Sequence, residues 1–366
     1  MKGNKEMMNY DTFATAVVAR IKDILPQSFA LHEVERRTVY KPNKELDAMT
    51  LKPPAGVDAI CPVIYLNDAY EVFMHTNDLD RILNDMANLI KDNTMAIPEG
   101  NTPGLPIEED RIIMQVINTK RNAKYLETVP HREIMDLSVI YRVIMNMNDE
   151  GMDSFVITDS LLKDMDMTER DLYETAVVNM RTIDPFYMFD LMNIDQAISD
   201  GRFNSEKDIE ELFEGYSGFT PLCLTNTSKV NGASYLADNE LLDMISSYLD
   251  DNFYLFPVSI HEVFIFPEHS VENPEFLKCL LQDGNVSIIN PEDYLSDSIY
   301  YFDKNQKELS IKISSEITLM RMPQAVQEEV LSYGTTQAAN STRETYEKYF
   351  EYKNNMNGRD KQGRQR

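Results

Sequence analysis

The feature that most constrains this sequence is an apolar run at residues 251–267, DNFYLFPVSIHEVFIFP. Aromatic and β-branched residues fill both halves of the run, and such residues fit buried strands. The run therefore predicts two buried strands, separated by the polar residues Ser259, His261 and Glu262. Because polar groups inside a buried sheet must be hydrogen-bonded, this break indicates either a structural turn or a binding or catalytic site.

Short turn-forming segments join most of the neighbouring strand candidates, for example Lys41-Pro42-Asn43 and Asp149-Glu150-Gly151. Parallel strands need long crossover connections, whereas antiparallel strands are joined by short turns. We therefore predict an α+β fold with mostly antiparallel sheets packed with amphipathic helices, followed by a polar C-terminal tail.

The patterns divide the chain into four parts. Residues 1–95 are predicted to form a helix, a β-meander and a second helix, and 96–110 a Pro/Gly-rich linker or crossover loop. A larger α+β domain is expected at 111–322, and a helix-prone to disordered tail at 323–366.

Three local predictions fall inside the larger domain. Residues 168–171, Thr-Glu-Arg-Asp, are typical of a helix capping box. Residues 221–225 and 233–236 are predicted to be strands that enclose a turn-rich loop at 226–232. Between 186 and 218 the pattern is mixed, and only one helix, at 205–213, is expected.

The formal charge of −26 and the three cysteines limit the classes of function. So acidic a chain is a poor candidate for nonspecific binding to nucleic acid or to anionic membranes. Cys61, Cys223 and Cys279 form no CxxC pair, which argues against a disulfide framework and a cysteine zinc site. Since no apolar stretch resembles a signal peptide or a membrane span, we expect a cytoplasmic protein.

The five histidines form neither an HExxH motif nor a His-x-His pair, so no metal site is predicted, and no cofactor is expected. Both His-Glu dipeptides, His32-Glu33 and His261-Glu262, are expected inside strands, where neighbouring side chains point to opposite faces. A catalytic arrangement could combine Cys223 or Ser259 with His261 and Asp297, although no GxSxG elbow accompanies it.

If the protein has a small-ligand site, we expect it where the loop 226–232 meets the strand of His261 and the segment 295–297. These polar residues flank the most apolar sheet and offer hydrogen-bond donors, a cation, an imidazole and a carboxylate. Besides the catalytic candidates His261, Asp297 and Cys223, the expected ligand-binding residues are Asn226, Lys229, Asn231, Gly232 and Ser296. The alternative is structural: Asn226 and Asn231 would satisfy a turn, His261 would bond to backbone, and Asp297 would cap a local turn. The segment at 231–233 could likewise cradle an anion or form a plain hairpin turn.

Several short blocks in order, including LHEV at 31–34, PVIYL at 62–66, LSVIY at 137–141, SIHEV at 259–263 and LSDS at 295–298, carry a family resemblance. Over roughly residues 10–303 the chain resembles the bacterial domain-of-unknown-function family 5688. The resemblance implies a bacterial cytoplasmic protein. It brings no known activity, cofactor or catalytic residue.

We expect a protein-binding or accessory module, with a protein as its partner. The alternative is a hydrolase or transferase with a site around His261, Asp297 and Asn226, and the third class is an acidic mimic of nucleic acid. An apolar surface patch would favour the binding protein, and a deep pocket with converging polar groups would favour the enzyme. The sequence leaves the partner, the substrate and the oligomeric state open.

Overall fold

The computed structural model describes residues 8–55, 59–96, 107–148, 151–191, 206–316, 322–337, 339–340 and 342–351. Its contacts divide the chain into two units, Met1–Pro106 and Ile107–Arg366. Most of the predicted linker, residues 97–106, lies outside the described residues, as does the end of the predicted tail, 352–366.

The described residues of unit 1 form three α-helices and five strands, which pair antiparallel. The helices are α1 Tyr10–Ile24, α2 Leu66–Thr76 and α3 Leu79–Asn93. The strands are β1 Glu33–Lys41, β2 Lys44–Lys52, β3 Ala59–Ile60, β4 Ile64–Tyr65 and β5 Met95–Ala96. β1, β2 and β4 form one sheet in that order, and β3 pairs with β5.

A two-residue connection, Asn77-Asp78, joins α2 and α3 into a helical hairpin. Asn77 ends α2 with φ of 50°, in the left-handed region that asparagine tolerates. Asp78 then caps α3 by accepting a hydrogen bond from the backbone N–H of Arg81. Phe13, Val17 and Ile21 of α1 belong to the core of this unit and are fully buried.

Unit 2 begins with a four-stranded antiparallel sheet. Its strands are β6 Ile112–Asn118, β7 His131–Ile134, β8 Leu137–Asn148 and β9 Gly151–Val156. The long strand β8 pairs with β6 along one edge and with β7 and β9 along the other.

The helices associated with this sheet are α4 Ala123–Leu126, α5 Asp159–Asp164 and α6 Glu169–Ile183. The capping box at Thr168 is confirmed, because the side chains of Thr168 and Asp171 each accept from the other's backbone N–H. Leu172 and Ala176 of α6 are fully buried in a hydrophobic core that also contains residues of β6 and β8.

A six-stranded antiparallel sheet forms the centre of unit 2. Its strands are β10 Phe186–Asp190, β11 Leu222–Asn226, β12 Phe253–Phe256, β13 Val263–Pro267, β14 Ile299–Asp303 and β15 Glu308–Ile313. The order is β10-β11-β13-β12-β14-β15. The two strands predicted from the apolar run are β12 and β13, and they occupy the middle of this sheet with every residue buried. The α+β class with antiparallel sheets is thus confirmed.

The longer helices that follow in the described part of unit 2 are α7 Glu206–Gly215, α8 Asn239–Leu249, α9 Pro274–Ser287, α10 Gln324–Tyr333 and the helical residues 342–351. Side chains of a strand alternate between the two faces of a sheet, so the central sheet contributes to two cores. One core contains Leu255 and residues of α8. The other contains Phe256 and Phe264 together with residues of α9 and of 342–351.

The prediction of a strand at 233–236 was wrong, since these residues belong to a 3-10 helix, Gly232–Ala237. All six residues of this helix are buried, and a short apolar run looks the same in sequence whether it is a buried strand or a buried helix. Strand β10 lies in the stretch that the sequence left without assignment.

Candidate functional site

His261 and Glu262 lie in the turn between β12 and β13 rather than inside a strand, which corrects the prediction for this His-Glu pair. The turn closes where the backbone N–H of Ser259 donates to the carbonyl oxygen of Glu262 at 3.2 Å. The Ser259 hydroxyl donates to Glu262 Oε1 at 2.9 Å and accepts from the backbone N–H of His261 at 3.0 Å. The other His-Glu pair, His32-Glu33, does not lie inside a strand either, because β1 begins only at Glu33.

Both ring nitrogens of His261 are engaged by protein groups. Nδ1 accepts from the backbone N–H of Asn231 at 3.1 Å, and Nε2 lies 3.2 Å from Oδ1 of Asp293. An accepting Nδ1 assigns the neutral tautomer with its proton on Nε2, donated to Asp293. In this arrangement neither nitrogen remains free to act as a general base or to bind a metal ion.

The loop 226–232 does meet His261, and its side chains stabilise the loop itself. The Asn226 amide donates to Asp184 Oδ2 and to the carbonyl oxygen of Val230, both at 2.7 Å. Ser228 donates to Asp184 through its hydroxyl at 2.6 Å and its backbone N–H at 2.8 Å. Burial raises the pKa of Asp184, and the hydrogen bonds from Ser228 oppose that shift.

Two other loop residues have positive φ, 59° at Lys229 and 58° at Asn231. Lys229 is exposed at the surface of the turn. Gly232 packs so closely that a Cβ there would lie 2.4 Å from the carbonyl oxygen of His261. The loop is therefore tied to the His261 turn through backbone atoms as well as side chains.

Asp297 and Ser296 have partners other than His261. Asp297 Oδ1 accepts from the Asn285 amide at 2.7 Å, and the Asp297 carbonyl oxygen accepts from the Lys278 ammonium. The carboxylate hydrogen-bonded to His261 is that of Asp293, four positions earlier in the chain.

Cys223 is fully buried on β11, opposite Phe264 of β13. The Tyr349 hydroxyl is hydrogen-bonded with Cys223 and Glu262, and burial together with these contacts raises the pKa of Tyr349. Reactive cysteines usually lie where solvent reaches them, in electropositive surroundings, and Cys223 has neither property.

Sequence reasoning missed the carboxylate of Asp136, in the turn between β7 and β8. It accepts from the hydroxyls of Ser296 at 2.7 Å, Ser298 at 2.8 Å and Tyr300 at 2.7 Å. All three donors are fully buried. We call these four residues the Asp136 cluster; it joins the β7–β8 turn to the start of β14.

Lys278 of α9 lies close to this cluster and is fully buried. Burial lowers the pKa of its ammonium to about 8, against the opposing effect of the negative charges of Asp297 and Asp136. Buried lysines often serve in catalysis, but this ammonium donates to a backbone carbonyl and has no solvent contact.

The lowered pKa of Lys278 predicts a pH dependence of stability. Between pH 8 and about 10.5 the unfolded chain binds a proton that the folded chain does not, so the free energy of unfolding rises with pH across this window. Lys278→Met should be more stable than the native protein at pH 7.5, and this advantage should shrink by about 2 kcal/mol at pH 9.5. Urea unfolding at the two pH values measures the difference. Lys120→Met, at a lysine 92% exposed, is the control and should show no such change; equal behaviour of the two variants would contradict the expectation.

Unit 1 carries a different kind of site, an open apolar groove of about 340 Å³ between α2, α3 and β4. Its lining residues are Val63, Ile64, Tyr65, Asp68, Ala69, Val72, Ile82, Asp85, Met86 and Leu89. Three of them are large apolar residues exposed at the surface: Val63 by 38%, Val72 by 46% and Leu89 by 44%. Isolated exposed apolar residues are ordinary, but several around one concave surface indicate a binding site.

Among the described residues, no group of three His, Cys, Asp or Glu side chains could hold a metal ion. None of the helices in those same ranges has the length and apolar character needed to cross a membrane.

Comparison with known proteins identifies one family. No curated protein and no solved structure matches the chain. A family model described as a family of unknown function, DUF5688, matches residues 10–304, which include most of the described residues of unit 1 and the central sheet of unit 2 through β14. The chain therefore belongs to the DUF5688 family.

Proposed function

We propose that this protein is a protein-binding module and that the groove between α2, α3 and β4 binds a short apolar segment of a partner protein. The observation that carries the proposal is the exposure of Val63, Val72 and Leu89 around one concave surface. Exposed apolar area of this kind costs free energy in water, and a bound partner would remove it.

The polar residues of unit 2 support the choice of a binding protein over an enzyme. His261 has both ring nitrogens in hydrogen bonds, and the Asp136 carboxylate accepts three buried hydroxyls. Catalytic groups need atoms that are open to substrate, whereas groups bonded in this way fix the positions of turns and strands.

We also propose the bacterial cytoplasm as the compartment. None of the three cysteines, Cys61, Cys223 and Cys279, forms a disulfide. Cysteines without disulfides are typical of reducing compartments.

A cross-linking experiment followed by a binding measurement tests the groove. A photoreactive phenylalanine analogue at position 72 should capture one partner in cells, and that partner is then purified. Leu89→Gln should weaken its binding at least tenfold by calorimetry, because the apolar contact of the Leu89 side chain is lost without any change of charge.

The matched control is Val178→Gln on α6 of unit 2, where the apolar side chain is 63% exposed. This variant should bind the partner within twofold of the native protein. The proposal is overturned if no protein is captured at position 72, or if Leu89→Gln binds the captured partner as tightly as Val178→Gln does.

A further inference from the structure

We infer, on the basis of the proposed function, that the groove takes an amphipathic helix of the partner protein, with basic residues flanking its apolar stripe. Two properties of the groove support this occupant: the helical spacing of the side chains along its walls, and the negative charge on both walls.

The walls of the groove follow helical periodicity. Ile82, Met86 and Leu89 of α3 are spaced by four and three residues, and Ala69 and Val72 of α2 are spaced by three. The α3 stripe is about 10 Å long at 1.5 Å per residue, which matches two turns of a partner helix. Such a helix would present apolar residues at positions i, i+3 or i+4, and i+7.

A helical partner also suits the backbone groups around the groove. The helices α2 and α3 use their backbone groups within themselves, so they offer an extended peptide little to pair with. Strand β4 has only two residues, Ile64–Tyr65, and these already pair with Met49 and Ala48 of β2. A helix brings its own backbone hydrogen bonds and needs only side-chain contacts.

Each wall of the groove carries an exposed carboxylate, Asp68 on α2 and Asp85 on α3. Asp85 is 3.7 Å from Arg81, but both side chains are more than 60% exposed, and such a surface pair is weak. Lys41 places its ammonium 4.2 Å from the centroid of the Tyr65 ring, so the chain itself already supplies one cation near the groove.

The helical hairpin that forms both walls, residues 66–93, is acidic as a whole. Its two basic residues are Arg81 and Lys91, and its six acidic residues are Asp68, Glu71, Asp78, Asp80, Asp85 and Asp92. Asp78 caps α3, and Asp80 pairs with Arg20 at 2.6 Å. Asp68 and Asp85 remain the acids that line the groove, and they favour a partner with lysine or arginine beside its apolar stripe.

Three synthetic 18-residue peptides test the inference on the full chain. All three carry the same leucine stripe at helical spacing, with lysine, glutamine or glutamate at the flanking positions. Fluorescence anisotropy at 0.15 M salt should show the lysine peptide binding at least tenfold more tightly than the glutamine peptide. The double variant Asp68→Asn, Asp85→Asn should weaken the lysine peptide about fivefold and leave the glutamine peptide unchanged, as expected for the loss of two exposed charge pairs.

The charge control is the double variant Glu33→Gln, Glu35→Gln, which removes two exposed acids from β1, at the other edge of the sheet from β4. It should weaken the lysine peptide less than twofold. If the glutamine peptide binds as tightly as the lysine peptide, or if both double variants have the same effect, the basic partner is overturned while the proposed groove stands. If Leu89→Gln changes the binding of none of the three peptides, the proposed function itself fails.

Discussion

Replacing Asp136 with Ala is expected to lower the free energy of unfolding by about 4 kcal/mol. The substitution leaves the hydroxyls of Ser296, Ser298 and Tyr300 without their shared acceptor, and all three are fully buried. It also removes a negative charge near the buried ammonium of Lys278. A buried hydroxyl that loses its partner retains its desolvation cost, which is why the effect exceeds that of an ordinary hydrogen bond.

Urea unfolding at pH 7.5 measures this loss. Asp136→Asn should lose about half as much, because the amide oxygen still accepts while its nitrogen can only donate. Glu133→Ala is the matched control, since Glu133 is exposed on the neighbouring strand β7 and its loss should change stability by less than about 0.5 kcal/mol. A loss below about 1 kcal/mol for Asp136→Ala would show that the Asp136 cluster does not hold the β7–β8 turn.

Replacing Gly232 with Ala should destabilise the protein by about 3 kcal/mol. The added Cβ would lie 2.4 Å from the His261 carbonyl oxygen, 2.5 Å from Thr225 Oγ1 and 2.8 Å from the backbone nitrogen of Asn226. Two of these three atoms belong to the backbone of neighbouring segments, so the clash cannot be relieved by turning a side chain.

Gly215→Ala is the control for this prediction, because a Cβ at Gly215 would meet no atom within 4 Å. Its stability should stay within about 1 kcal/mol of the native value. Thermal unfolding of the two variants side by side gives the comparison, and equal melting temperatures would mean that the loop moves away from His261 at little cost.

The sequence predicted those helices and strands that depend on residues close together in the chain. The dense aromatic and β-branched run at 251–267 predicts β12 and β13, since short apolar runs of this composition are typical of buried strands. The capping box at Thr168 is a four-residue motif whose hydrogen bonds form within one helical turn. Information of this kind is present in the residues themselves.

The Asp136 cluster could not be predicted in the same way. Asp136 meets its partners across 160 to 164 positions of chain, and its own turn is formed by Met135 at φ of 58°, an unusual conformation for methionine. No sequence pattern indicates contacts between residues so far apart in the chain, and none indicates this backbone angle at a methionine. The same limit applies to Asp293, whose contact with His261 arises only when the β12–β13 turn reaches the segment before β14.

The groove was missed for a local reason. The last strand of the β-meander predicted within residues 1–95 corresponds to residues 59–66, whereas in the structure β4 stops at Tyr65 and α2 begins at Leu66. Tyr65 precedes this helix without making a side-chain capping hydrogen bond, so the usual start signal is absent from the sequence. Because α2 was not predicted, the second wall of the groove was missing from the prediction, and the apolar residues of α3 did not indicate a binding site.

The second core of unit 2 has a consequence for the order in which the chain folds during synthesis. Phe256 and Phe264 on the central sheet are covered by Tyr346, Tyr349 and Phe350, which come much later in the chain. At usual translation rates, roughly 10 s separate the synthesis of Phe264 from that of Phe350. Within that interval α9 and the last two strands, β14 and β15, are also made, so the sheet can be complete while this part of its aromatic face still lacks Tyr346, Tyr349 and Phe350. We therefore expect this face to need protection from aggregation until the last helical residues are made.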